Sequence, residues 1–304
     1  MNYYRPIVSY GKNRPKHAMP IAGGSAWFSE VEKLSRNENS TIITLKDVPG
    51  DILNNITRKR PNFSDLSMSN AHVMGVLNVT PDSFSDGGQH YDVDIAVRRG
   101  KEMLDEGASI VDIGGESTRP GADFVDRFSE LNRVSPVVNA VAKLGIISID
   151  TRKADVAREA ISQGAKIFND VSALSFDPRS LNVLAESGAS VCLMHASGDP
   201  QTMQDNPTYD DVLLDVYDFL MSRVELCLQA GIDLSKISID PGIGFGKTII
   251  DFSKLFSFLN MKIEFCLSYA TCRIMQVQCM HRQLWKKRAN LLILNCLKYK
   301  RFSL

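Results

Sequence analysis

Six short apolar runs in this sequence finish on polar or charged residues, and those endings are where chemistry could be done: Asn78, Asp112, Asp150, Asn169 with Asp170, His195 and Asp240. A buried parallel strand is almost wholly apolar, so polar groups gathered at one end of several strands call for a ligand. Capping of the following helix is the competing reading for Asp112 and Asp170. Two segments extend the set. The run Leu77-Asn-Val-Thr-Pro-Asp-Ser-Phe-Ser-Asp-Gly-Gly88 offers hard oxygen donors for a cation or phosphate, and its glycines let backbone N–H groups approach an anion. In Asp112-Ile-Gly-Gly-Glu-Ser-Thr-Arg-Pro-Gly121, two glycines, a carboxylate, two hydroxyls and Arg119 follow a strand directly. That composition suits a diphosphate or a carboxylated aromatic.

The elements that would position these residues alternate. Strands are expected at His72 to Val79, Ser109 to Ile113, Ile146 to Asp150, Lys166 to Asp170, Ser190 to His195 and Ile237 to Asp240. Between them lie stretches such as Asp94 to Leu104 and Tyr209 to Leu220, whose apolar residues recur at helical spacing. Strand then amphipathic helix, repeated, is the pattern of a parallel α/β fold. In a closed barrel the carboxyl ends of the strands carry the catalytic loops. Residues 1–70 do not share the repeat. They hold a Gly23-Gly24 turn, a strand expected at Thr41 to Leu45 and a linker-like stretch from Pro61 to Asn70, and read as a mobile extension or a hairpin plugging the bottom of the barrel.

The 304 residues include 44% hydrophobic and 23% charged, which is ordinary globular composition. No apolar run approaches the length of a membrane helix, and the polar start Met1-Asn-Tyr-Tyr-Arg5 does not resemble a secretory signal, so a cytoplasmic protein without a membrane partner is expected. The six cysteines form no CxxC pair that would indicate a zinc site or a redox motif. Basic residues are not interleaved with aromatics in the repeating portion, so nucleic acid is not an expected partner. Gly242-Ile-Gly-Phe-Gly-Lys247 lacks the spacing of a nucleotide-hydrolysing phosphate loop.

The zero net charge hides a division near Thr248. Before it stand 25 basic and 33 acidic residues with all 20 glycines and all 12 prolines; after it stand 10 basic and two acidic residues with four of the six cysteines. Such a break would follow from a frameshift near codon 249. A second expectation is an amphipathic helix, Leu291-Leu-Ile-Leu-Asn-Cys-Leu297, packing on the gap.

LNVTPDSFSDGG at 77–88, DIGGESTRPGA at 112–122, SIDT at 148–151, FNDVSAL at 168–174, CLMH at 192–195 and DPGIGFGK at 240–247 resemble, in order and spacing, the dihydropteroate synthase family. The likeness covers about residues 71–248. It implies a (β/α)8 TIM barrel, incomplete or divergent after about residue 248, with residues 1–70 as an extension and 249–304 as a basic tail. It also implies a transferase joining 6-hydroxymethyl-7,8-dihydropterin diphosphate to 4-aminobenzoate, commonly as a homodimer. By motif position, Asn78 resembles the Mg2+ ligand, while Asp150, Asn169 and Asp240 resemble the pterin pocket, the two aspartates being the catalytic candidates. Thr118 resembles a substrate-binding residue, with Pro120 beside it, and Met194 and Phe245 resemble apolar walls. His195 reads as a supporting residue. The family's Ser-Arg-Lys and Arg-x-His motifs, which touch pterin, aminobenzoate and diphosphate, have no counterpart after Thr248. A pterin-binding chain without turnover is therefore the alternative, and a pterin-dependent methyltransferase a more distant one.

Overall fold

The computed structural model describes residues 1–80, 89–117, 122–198, 207–248, 251, 266–267 and 274–278. The N-terminal unit is a four-stranded antiparallel sheet of β1 (Asn2–Ser9), β2 (Met19–Pro20), β3 (Trp27–Ser35) and β4 (Thr41–Thr44), with β3 paired to the other three. Helix α1 (Gly50–Thr57) closes it, and Val8, Ile21, Phe28, Val31, Val48, Ile52 and Ile56 make a separate small core.

The rest is a curled parallel sheet with helices outside. Its strands are β5 (His72–Asn78), β6 (Ile110–Gly114), β7 (Ile146–Asp150), β8 (Ile167–Asp170), β9 (Ser190–Met194) and β10 (Ile237–Asp240). Helices α2 (Gln89–Asp105), α3 (Arg127–Val141), α4 (Ala154–Ser162), α5 (Ser180–Ser187) and α6 (Val212–Gln229) alternate with them. All six expected strands are present, with ends shifted by at most one residue. Two further segments join the sheet, β11 (Cys266–Leu267) beside β10 and β12 (Ile274–Gln278) beside β5, both parallel. The order is β11-β10-β9-β8-β7-β6-β5-β12, and no pairing of β11 with β12 closes the ring among the described residues. The barrel is incomplete at that seam. The segment Leu291–Leu297 lies outside the described residues.

Pairing register sorts the strand residues into two faces. Met74, Ile110, Ile146 and Ile167 face inward at the bottom of the barrel, where Phe63, Leu66 and Met68 pack against them. Phe63 and Leu66 form their own short bridge, so the stretch expected to be a linker is the bottom plug. The antiparallel sheet sits instead against α6. The Tyr3 ring meets Tyr217 edge-on at 5.5 Å, its hydroxyl donates to Asp218, and Arg36 pairs with both Asp215 and Asp218. The alternate strand residues, including Leu77, Val111, Ile113, Ile147, Ile149, Phe168, Val191, Leu193, Ile237 and Ile239, pack outward under the helices in the main core. No described helix is long and apolar enough to cross a membrane.

Candidate active site

Two residues further up the inner face, the apolar layer gives way to polar groups. Asn78 stands in register with Gly114, Gly114 with Asp150, and Asp150 with Asn169. Cys192 follows Asn169, and Met194 is level with Asp240. The sheet therefore carries Asn78, Asp150, Asn169, Met194 and Asp240 to one mouth at the carboxyl ends of the strands, with Asp112 and Ser148 one layer below Asp150 and Ser238 one layer below Asp240. A period-two strand leaves no other placement once the bottom layer is fixed.

Contacts within the set are short. The Asn169 amide donates to Asp112 Oδ2 at 3.0 Å across the interior. A Cβ on Gly114 would meet Asp150 Oδ2 at 3.4 Å and Asn78 Oδ1 at 3.6 Å, so the missing side chain there lets the two flanking groups converge. Asp240 Oδ1 accepts the Gly242 N–H at 2.7 Å. Asp112 is wholly buried, and Asp150, Asn169 and Asp240 nearly so. Burial first, and then the charges of Asp112, Glu130, Asp170 and Glu116, push the Asp150 carboxyl well above its ordinary pKa. Asp150 Oδ1, Ser148 Oγ and Ser238 Oγ are buried with no hydrogen-bond partner among the described residues. Buried polar atoms on one inner face without partners mark a cavity wall that a polar ligand would satisfy.

Capping was the competing reading for Asp112 and Asp170, and the structure separates the two. Asp170 is out of phase with the inner face and accepts from the Ser172 N–H at 2.7 Å, the Ser172 hydroxyl at 2.6 Å and the Leu174 N–H at 3.0 Å, so it holds a turn. Burial still moves its pKa up to about 6. Asp112 instead points inward and accepts from Asn169. Thr118 and Pro120 lie outside the described residues, as does Pro81–Gly88 of the first polar loop.

Composition alone did not single out the machinery that holds the loops. Glu116 accepts Lys153 Nζ at 2.9 Å, Arg152 Nη2 at 3.3 Å and the Val125 N–H at 3.0 Å, while Lys153 also reaches Glu130 at 2.6 Å. All four side chains are buried. Burying charge is costly unless it is paired, and the contacts of Glu116 with Lys153 and with the Val125 N–H tie together the two flanks of the segment that contains Thr118. At the other side, His195 is buried and held neutral, its pKa brought down to about 3 by burial and then by Lys247. Phe219 packs edge-on against its ring at 4.9 Å. Phe245 is half-buried in the loop after β10, and Met194 is buried at the end of β9.

A polar cleft of about 470 Å³, lined in part by Asn62, Lys166, Ser190 and Lys236, opens at the opposite, amino-terminal end of the strands. It holds none of the candidate residues. Among the described residues, no three His, Cys, Asp or Glu side chains come together as a metal cage. Asn78 nevertheless offers an amide oxygen at the mouth, a hard donor that fits Mg2+, which keeps several waters and binds through one or two protein oxygens plus substrate phosphates.

The profile of the family described as pterin binding enzyme matches residues 74–280, more than half of the chain. The chain belongs to the pterin-binding enzyme family. Over 204 residues it is 48% identical to the dihydropteroate synthase of Escherichia coli K12, an overlap of 66% of this chain and 71% of that protein. Among solved structures, a Xanthomonas albilineans dihydropteroate synthase with 4-aminobenzoic acid is similar at a TM-score of 0.61 and 40% identity, covering 74% of this chain and 78% of that one. A Yersinia pestis dihydropteroate synthase in a sulfonamide complex is similar at a TM-score of 0.59 and 46% identity, covering 64% and 71%.

Proposed function

We propose that this pterin-binding chain is a dihydropteroate synthase, condensing 6-hydroxymethyl-7,8-dihydropterin diphosphate with 4-aminobenzoate to give 7,8-dihydropteroate and diphosphate in folate biosynthesis. The observation that carries the reading is the inner-face set at the barrel mouth, with Asp150, Asn169 and Asp240 at the ends of β7, β8 and β10, and with Asp150 Oδ1, Ser148 Oγ and Ser238 Oγ lacking partners among the described residues. A pterin edge offers an exocyclic amine and ring N–H groups. A buried carboxylate meets two such donors at once with matching geometry.

In this reading the aminobenzoate nitrogen attacks the pterin methylene carbon, the bond from that carbon to diphosphate oxygen breaks with its electron pair leaving on diphosphate, and the amine's proton passes to the departing diphosphate. Positive charge grows at the methylene as negative charge grows on the diphosphate. Asp150 and Asp240 hold the ring and offset the first. Mg2+ at Asn78 would supply charge neutralisation for the second. Met194 and Phe245 wall the pocket, and Thr118 with Pro120 is assigned to aminobenzoate and diphosphate by motif position. A cytoplasmic homodimer is part of the same proposal, as is the division into residues 1–70, 71–248 and 249–304.

The alternative of pterin binding without turnover is favoured by the seam between β11 and β12, where the ring is not closed among the described residues. One experiment separates the two. Purified full-length chain is supplied with the dihydropterin diphosphate, 4-aminobenzoate and Mg2+, and dihydropteroate is quantified beside Asp150→Ala. Turnover abolished by the substitution supports the synthase; saturable pterin binding without product supports the alternative; absence of both refutes the pterin reading of this site.

A further inference from the structure

Lys247 is buried, yet no carboxylate among the described residues touches it. Its Nζ lies 2.9 Å from His195 Nδ1, 3.1 Å from the His195 carbonyl, 3.0 Å from the Gly242 carbonyl and 2.9 Å from the Phe245 carbonyl. The first two acceptors belong to His195, just after β9, and the other two to the loop after β10. Burial brings the Lys247 pKa down to about 7; its ammonium form has three protons for these four acceptors, and it can serve His195 Nδ1 only when the imidazole is neutral with its proton on Nε2. Burial holds His195 in that neutral form.

Other contacts show what this knot controls. The His195 N–H donates to the Asp240 carbonyl at 3.0 Å, and the Gly242 N–H to the Asp240 carboxylate. Gly242 has φ of +65°, and a Cβ there would lie 1.9 Å from the His195 carbonyl oxygen, so the loop backbone presses directly on the end of β9. At the far side, the Tyr209 hydroxyl, just before α6, donates to the Gly246 carbonyl at 2.7 Å. Without Lys247, the His195 and Phe245 carbonyls and the His195 ring nitrogen would lose this donor, and the Gly242 carbonyl would keep only the Phe245 N–H, a loss the loop could relieve by lifting toward water.

We propose that Lys247 is a positioning residue that clamps the Gly242–Gly246 loop to the end of β9 and thereby aims the Asp240 carboxylate and the Phe245 ring at the pterin. The inference rests on the pterin reading of the pocket. Its mechanical half, the clamp, stands on the contacts alone.

The test compares wild type with Lys247→Met, which keeps the stem and removes the donors, and with Tyr209→Phe, a milder change at the same loop. Two quantities are read: the dissociation constant for 6-hydroxymethyl-7,8-dihydropterin, and amide hydrogen exchange across Gly242–Lys247 against that of β7 and β8. Expected for Lys247→Met are a dissociation constant raised about 10- to 100-fold and faster loop exchange, with β7 and β8 unchanged. Tyr209→Phe should give a smaller rise, about three- to tenfold, and it carries the test alone should Lys247→Met fail to fold. Unchanged pterin affinity in a folded variant overturns the proposal. Should wild type itself not bind the pterin, the functional reading fails separately, and unchanged loop exchange in the variants would then overturn the clamp.

Discussion

Replacing Asp150 by asparagine separates two effects that one carboxyl combines. In the folded protein the group is 9% exposed, Oδ1 has no partner among the described residues, and burial together with the charges of Asp112, Glu130, Asp170 and Glu116 drives its pKa upward. A carboxyl whose folded pKa is raised keeps its proton in the fold after the unfolded chain has released it. Its contribution to stability is whole below the unfolded value, near pH 4, and is lost at about 1.4 kcal/mol per pH unit as pH rises toward the folded value. The amide that replaces it does not titrate. Urea titrations between about pH 4 and 7 should therefore show the stability difference moving in favour of Asp150→Asn by about 1.4 kcal/mol per unit over the lower part of that range. Ligand binding should move the other way. Pterin N–H donors favour the ionised carboxylate, so wild type releases a proton on binding, whereas asparagine turns a donor toward donors. Losing one hydrogen bond to a charged group is worth about 1.5–3 kcal/mol, or roughly 10- to 150-fold in affinity. Calorimetry in buffers of different ionisation heat reads both quantities. Parallel pH–stability profiles, or pterin binding to wild type without proton release, would refute the reasoning.

Gly242→Ala should cost about 1–2 kcal/mol from its left-handed backbone alone, and more from the collision with the His195 carbonyl; an unchanged denaturation midpoint and unchanged pterin affinity would count against the loop geometry. Phe63→Ala, which empties the 1%-exposed plug at the bottom of the barrel, should cost about 3–5 kcal/mol in urea unfolding while leaving pterin affinity per folded molecule within about twofold. His195 has a folded pKa lowered to about 3, so the unfolded chain takes up a proton below about pH 6.5 that the fold refuses. Acidification should accordingly destabilise wild type relative to His195→Gln by up to about 1.4 kcal/mol per pH unit over that window, and equal slopes would mean the imidazole is not neutral in the fold. Asp170, protonated in the fold up to about pH 6, works in the opposite direction but is common to both proteins and cancels in the difference.

The barrel strands were legible because a buried parallel strand leaves a dense β-branched run, and the inner-face residues because their polarity breaks it. Period two does the rest: Asp150 and Asp240 end their strands in phase with the pocket, whereas Asp170 ends its strand one position out of phase and turns into a loop. A reading by strand end alone groups all three. The N-terminal unit was read only at Thr41 to Leu45, since β1 and β3 carry charged residues along a solvent face and their pairing is set by partners distant in sequence. Lys247 was visible as a residue, but its acceptors are backbone carbonyls, which composition does not display. The same holds for the plug at Phe63, whose Pro, Ser and Asn neighbours look like a linker until the bottoms of four strands close on the ring.

The grip of Tyr3 and Arg36 on Asp215 and Asp218 spans 215 and 179 residues of sequence. During synthesis the antiparallel sheet emerges first with a core of its own, and then waits undocked while five strands and their helices are made. Closure of so long a loop costs only slightly more than closure of a short one, because the entropy rises with the logarithm of length, but it is a late event in time. Docking thus registers that α6 has arrived, and Tyr3, Arg36, Asp215 and Asp218, which make this grip, all precede Thr248.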